Sequence, residues 1–169
     1  MDWLATGLGP KNVQRALYHR LELEGGEELP EGFMLIPRLD VSASAGNGSL
    51  VELENTQDVL AFRTDWLREK GINPGRTHVL AAKGDSMEPT IRDGDILLVD
   101  TSIDHVKDNA IYVVVFAGRT LVKRLQLKRD GSVVIKSDNS AAFDDETVPA
   151  AEVPDLIVAG RVMWYGRSI

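Results

Sequence analysis

The chain contains no cysteine. That single absence removes disulfides, thiolate nucleophiles and cysteine-ligated zinc, and it fits a reducing compartment. Histidine is scarce too: His19, His78 and His105 are the only three. None sits in a local partner pattern of the kind a histidine-based triad leaves behind. Cations are in the minority, with 19 Lys and Arg against 26 Asp and Glu for a net charge of −7. A nucleic-acid surface needs clustered Lys and Arg to meet phosphates, so the chain as a whole is not one. No apolar run reaches the length of a bilayer span, and MDWLATGLGPKNVQ lacks the basic-then-apolar plan of a signal peptide. The expected location is the cytoplasm, without membrane contact.

What is present suits one globular core with an arm or small second unit: 169 residues, 43% hydrophobic and 27% charged. Pro10, Val13, Ala16, Leu17 and Leu21 lie at helical spacing, and the acidic run Glu22–Glu28, broken by Gly25 and Gly26, reads as a solvated linker. From Phe33 onward the signals are those of strands. Phe33–Leu39, Leu50–Leu53, His78–Ala82, Ile96–Val99, Ile111–Phe116, Thr120–Leu127, Val133–Lys136 and Ile157–Tyr165 are rich in branched and aromatic residues. Gly118 and Asp130-Gly131 fall between adjacent candidates and predict hairpins. A short helix is expected at Thr64–Lys70, with Thr64 as N-cap and Gly71 as stop. The fold class is therefore mostly β, many short antiparallel strands with one or two short helices.

Three segments carry chemistry. Gly84-Asp85-Ser86-Met87-Glu88-Pro89-Thr90 leads into Asp93-Gly94-Asp95 and an apolar strand. A serine on a turn between strands can stand at a cleft edge, with the N–H groups of Ser86 and Met87 available as an oxyanion hole. The plainer alternative is a β-turn that happens to contain a serine. In Leu121-Val122-Lys123-Arg124-Leu125, strand alternation puts Lys123 on one face with Leu121 and Leu125, and Arg124 on the other. Partial desolvation there lowers the lysine pKa, as a lysine base requires. A solvent-facing lysine on an edge strand is the alternative. Val41-Ser42-Ala43-Ser44-Ala45-Gly46-Asn47-Gly48 offers small residues and a pliable backbone that could enter a narrow cleft by strand pairing, or be only a flexible loop. Asp93 and Asp95 lack a third partner at metal-ligand spacing and read as turn carboxylates. No metal and no cofactor is expected.

Together these segments resemble the LexA and phage CI-type repressors, a Ser-Lys self-cleaving peptidase family. The resemblance runs from about residue 33 to 169 and includes Leu60-Ala61-Phe62-Arg63 with Trp66-Leu67. It also includes Ser137-Asp138-Asn139, although Ser140 stands where the family has proline. It implies a LexA-type C-terminal peptidase domain with Ser86 as nucleophile, Lys123 as general base and Ala45–Gly46 as the bond cut. It divides the chain into a remnant of a DNA-binding domain plus linker (1–31), a cleavage-site region (32–56) and a peptidase and dimerisation domain (57–169). Trp3-Leu4-Ala5-Thr6-Gly7 resembles the end of a helix-turn-helix domain that is otherwise absent. Implied partners are a second copy of the chain, an activated recombinase filament that stimulates cleavage in the DNA-damage response, and operator DNA reached only through the absent domain. The alternative is a UmuD-type accessory subunit of an error-prone polymerase. A signal peptidase, which lacks support without an anchor, and a catalytically dead dimerisation module stand further back.

Overall fold

The computed structural model describes residues 30–39, 59–102, 104–116 and 119–167. The linker, the candidate helix from Pro10, the strand expected at Leu50–Leu53 and the Ala45–Gly46 bond lie outside them.

Strand β1 (Phe33–Pro37) pairs antiparallel with β2 (Val59–Arg63), placing Met34 opposite Phe62 and Ile36 opposite Leu60. Helix α1 (Thr64–Glu69) follows β2 directly. Its N-cap is Arg63, not Thr64. Both the N–H and the hydroxyl of Thr64 donate to the Gly32 carbonyl, at 2.8 and 3.0 Å, so this residue is committed to the start of β1 instead. The Asp65 carboxylate takes the Trp66 N–H at 2.8 Å in the first turn.

The remaining strands are β3 (Thr77–Ala81), β4 (Ile96–Asp100), β5 (Ala110–Phe116), β6 (Arg119–Leu127), β7 (Val133–Lys136), β8 (Glu146–Val148) and β9 (Ile157–Gly166). They form one seven-stranded sheet in the order β3-β4-β9-β5-β6-β7-β8. Every neighbouring pair is antiparallel, and the last strand is inserted between β4 and β5. The mostly β expectation holds. Among the described residues, the expected strands are present with ends moved by a residue or two. β2 and β8 were not foreseen as strands: one is half-exposed and the other is three residues long.

Alternation splits the core between two faces. Leu80, Met87, Ile91, Leu97, Val99 and Val113 cover one. On the other, Tyr112, Val114, Leu125 and Ile135 pack at one end. Ile36, Leu67, Ile72, Val79 and Leu98 pack at the opposite end, where the small sheet and α1 sit. Simple alternation along β9 would place Val158, Val162 and Trp164 together. Register shifts at Val113/Val114 and Leu98/Val99 break that pattern. Val162 joins Leu97 and Val99, while Met163 packs beside Leu98, and Trp164 meets Phe62 and Trp66 edge-on at 6.2 and 5.9 Å. A β-bulge adds one residue to one strand and so exchanges the faces beyond it.

Candidate active site

The loop from β3 to β4 is built to hold a turn in place. Gly84 and Gly94 adopt φ of +84° and +81°, a region closed to most side chains. The Gly84 N–H reaches the Asp93 carboxylate at 2.7 Å, and Gly94 N–H and Ala82 carbonyl meet at 2.9 Å. Ala82 N–H reciprocates to Asp95 carbonyl at 2.7 Å. The buried Asp95 carboxylate takes the Arg92 N–H at 2.8 Å and both arms of Arg167, which holds its pKa below the usual carboxylate value. Asp93 and Asp95 are thus turn carboxylates, as expected, and Asp95 also ties the end of β9 to this loop. Met87 and Ile91 are buried anchors, and Ser86 between them and the surface is half-buried. Among the described residues, no backbone acceptor takes the N–H of Ser86 or of Met87.

Beside Ser86 runs a groove lined by Leu80, Ala82, Met87, Ile91, Val113 and Val122. Its far wall belongs to β6. Only Arg124–Leu127 of that strand pairs with β7. Among the described residues, the half from Arg119 to Lys123 therefore has β5 on one side and an open edge on the other.

Lys123 lies opposite Tyr112 on the ladder, between Leu121 and Leu125, as the alternation requires. Burial pushes its pKa below the ordinary lysine value. Its Nζ donates to the Ser137 hydroxyl at 2.7 Å, and the Phe143 ring centroid is 5.3 Å away. Arg124 points the other way, with Nε and Nη2 donating to Asp138 at 2.8 and 2.7 Å and Nη1 to the Asn109 carbonyl at 2.7 Å. The guanidinium, then the Thr90 hydroxyl, hold the Asp138 carboxyl below its usual range. Asn139 completes the turn. Its N–H reaches the Ser86 carbonyl at 3.0 Å and its side-chain amide reaches the Asp85 carbonyl at 3.2 Å.

Residues 137–139 thus fasten the serine turn to the lysine strand. Among the described residues, no hydrogen bond joins the Ser86 hydroxyl to Lys123; Ser137 holds that amine instead. Ser137 was noticed in the sequence only as part of a turn, and Phe143 was not singled out. Ser86, Met87 and Lys123 lie among the described residues; Ala45 and Gly46 lie outside them.

A profile of the peptidase S24-like family matches residues 37–163. The chain belongs to that family. Among curated relatives, the Repressor protein CI of Enterobacteria phage phi80 is 31% identical, aligned over 98% of this chain and 73% of its own length. The 26 kDa repressor protein of Escherichia phage HK022 is 36% identical over 74% of this chain and 54% of its own length. The HTH-type transcriptional regulator PrtR of Pseudomonas aeruginosa is 30% identical over 82% and 52%. The chain thus spans about half the length of the last two. The serine turn, Lys123, the turn at 137–139 and Phe143 all fall within the S24-matched segment. No helix among the described residues is long and apolar enough to cross a membrane.

Proposed function

We propose that this chain is the self-cleaving portion of a transcriptional repressor, with Ser86 as nucleophile, Lys123 as general base and its own Ala45–Gly46 bond as substrate. The observation that carries the reading is the turn at 137–139, which binds the Lys123 amine through Ser137 and the Ser86 peptide through Asn139. Two residues far apart in sequence are thereby tied to one run of three consecutive residues.

The chemistry follows from the groups present. Burial lowers the cost of removing the Lys123 proton. The neutral amine leaves Ser137, takes the Ser86 hydroxyl proton, and the oxygen attacks the Ala45 carbonyl. The N–H groups of Ser86 and Met87 face the resulting oxyanion. The Ala45–Gly46 bond breaks, the Gly46 amine leaves with the proton held by Lys123, and water hydrolyses the ester joining Ala45 to Ser86. The open edge of β6 supports delivery of the substrate as an added strand, and the apolar groove suits small side chains such as Ala43 and Ala45.

The relatives named for repression support the wider role. In it the chain dimerises, an activated recombinase filament stimulates the cut, and operator DNA is gripped by a helix-turn-helix domain outside this sequence. Linking two DNA-binding halves raises their affinity, and cutting at residue 45 forfeits that gain.

The test is incubation of the purified chain across neutral and alkaline pH, with fragment masses read by mass spectrometry. Two fragments divided between positions 45 and 46 are expected, with none in Ser86→Ala or Lys123→Ala. Ala45→Glu should remain whole and folded, because an unpaired charge cannot be buried in an apolar groove. Undiminished cutting in either dyad variant overturns the assignment.

A further inference from the structure

Phe143 is a large apolar side chain left 37% exposed at the rim of the site. Its N–H bonds to the Asn139 carbonyl at 3.1 Å, so the ring is carried by the same turn that grips Ser86 and Lys123. Nζ of Lys123 stands over the ring face at 5.3 Å while donating to the buried Ser137 at 2.7 Å. An aromatic face attracts an ammonium and not a neutral amine, so this contact favours the protonated lysine.

We propose that Phe143 is a positioning residue for Lys123: its ring holds the ammonium against Ser137 and sets the pH at which the amine is released for chemistry. The inference rests on the reading of Lys123 as base. No neighbouring charge offers a simpler control. On β6, Arg124 faces away and is paired with Asp138. From β7, Lys136 is paired with Asp145 at 3.3 Å. From β5, the Tyr112 hydroxyl accepts the Lys107 N–H at 2.7 Å. Asp85 and Glu88 belong to the serine turn and Asp144 follows Phe143; among the described residues none of them pairs with the Lys123 amine, which donates to Ser137.

The ring has two separable effects. As an apolar cover it keeps water from the amine, which opposes the charge; as an aromatic it favours the charge. Phe143→Leu retains much of the cover and loses the aromatic face. Phe143→Ala loses both.

The experiment follows the Lys123 side chain by NMR in the full 169-residue chain carrying 13Cε-labelled lysine, with Lys123→Ala to assign the signal and Ser86→Ala to prevent cutting. Beside it, self-cleavage rates are measured across pH with Ser86 intact. F143L should lower the Lys123 midpoint by roughly half a pH unit. Its cleavage below the midpoint should be about two- to fivefold faster than in the wild type, with the same plateau at high pH. F143A should titrate above F143L, because water returns to the amine. A ring with only a structural role would change the rate at every pH and leave the midpoint alone. Indistinguishable midpoints in wild type and F143L overturn the proposal, as does a shifted midpoint with an unshifted cleavage profile. Normal cutting by Lys123→Ala would instead refute the base assignment, while the NMR midpoints still decide whether Phe143 controls the amine.

Discussion

Breaking the Arg124–Asp138 pair should loosen the turn on which both halves of the site depend. The two side chains are 24% and 12% exposed and meet through two parallel hydrogen bonds. An exposed pair contributes only about 0.2–1 kcal/mol, whereas removing one partner of a fully buried pair costs about 3–5 kcal/mol. This pair lies between those limits, so Arg124→Ala should cost roughly 2 kcal/mol. That corresponds to a fall of roughly 1 M in the urea midpoint for a slope of about 2 kcal/mol per molar. A double-mutant cycle with Asp138→Ala, read by urea denaturation, isolates the pair from the lost bond to Asn109. The pH dependence is a second check with a definite sign. Because Arg124 holds the Asp138 pKa down in the native state, the stabilisation is complete above the carboxyl's unfolded pKa and disappears as pH falls through its native value. The gap between wild type and Arg124→Ala should thus be flat from pH 8 to about 5 and narrow in stronger acid. A coupling energy near zero at neutral pH, or a gap unchanged by full carboxyl protonation, would refute the reasoning.

His78 on β3 offers a different pH effect: burial pulls its pKa from 6.5 to about 4. Between those values the unfolded chain binds a proton that the folded chain refuses, so stability should fall as pH drops through that window, by at most about 3 kcal/mol. His78→Gln should flatten this slope in urea titrations at pH 7 and 5, and an unchanged slope would exclude His78 as its source. Leu98 is fully buried between the large sheet and the small one. Leu98→Ala should cost about 2–5 kcal/mol in thermal or urea unfolding, and a loss below about 1 kcal/mol would mean that this end of the core collapses around the gap.

The legible part of the fold was the part governed by local pattern. Strand content followed from runs of branched residues, and both hairpins around β6 followed from their turn residues. β9 was legible as a strand but not in its faces. The two register shifts, which turn Val162 away from Val158 on one side and from Trp164 on the other, arise from the fit of β9 between β4 and β5. No feature within Ile157–Gly166 announces that neighbourhood. Thr64 shows the same limit on a smaller scale, since its preference for a helix cap is overridden by the Gly32 carbonyl across the small sheet.

In the candidate site, Ser86 and Lys123 each stand out in the sequence because each sits in a distinctive local run; what joins them is harder to see. Yet part of it was recoverable. The hairpin at Asp130-Gly131 pairs Leu127 with Val133, Leu125 with Ile135 and Arg124 with Lys136. One further step of that register puts Ser137 opposite Lys123, on the apolar side that holds Leu125 and Ile135, and there the hydroxyl meets the amine at 2.7 Å. Ser137 is buried for the same reason that Lys123 is desolvated: both continue the inward face of one hairpin beyond its last paired residues. The Asn139 bonds to Asp85 and Ser86 admit no such extrapolation, because they cross from the hairpin to a loop between two other strands. A serine hydroxyl, not a carboxylate, is what this position requires. A carboxylate beside Lys123 would stabilise the ammonium and raise its pKa, working against the desolvation on which the proposed role of Lys123 as base relies.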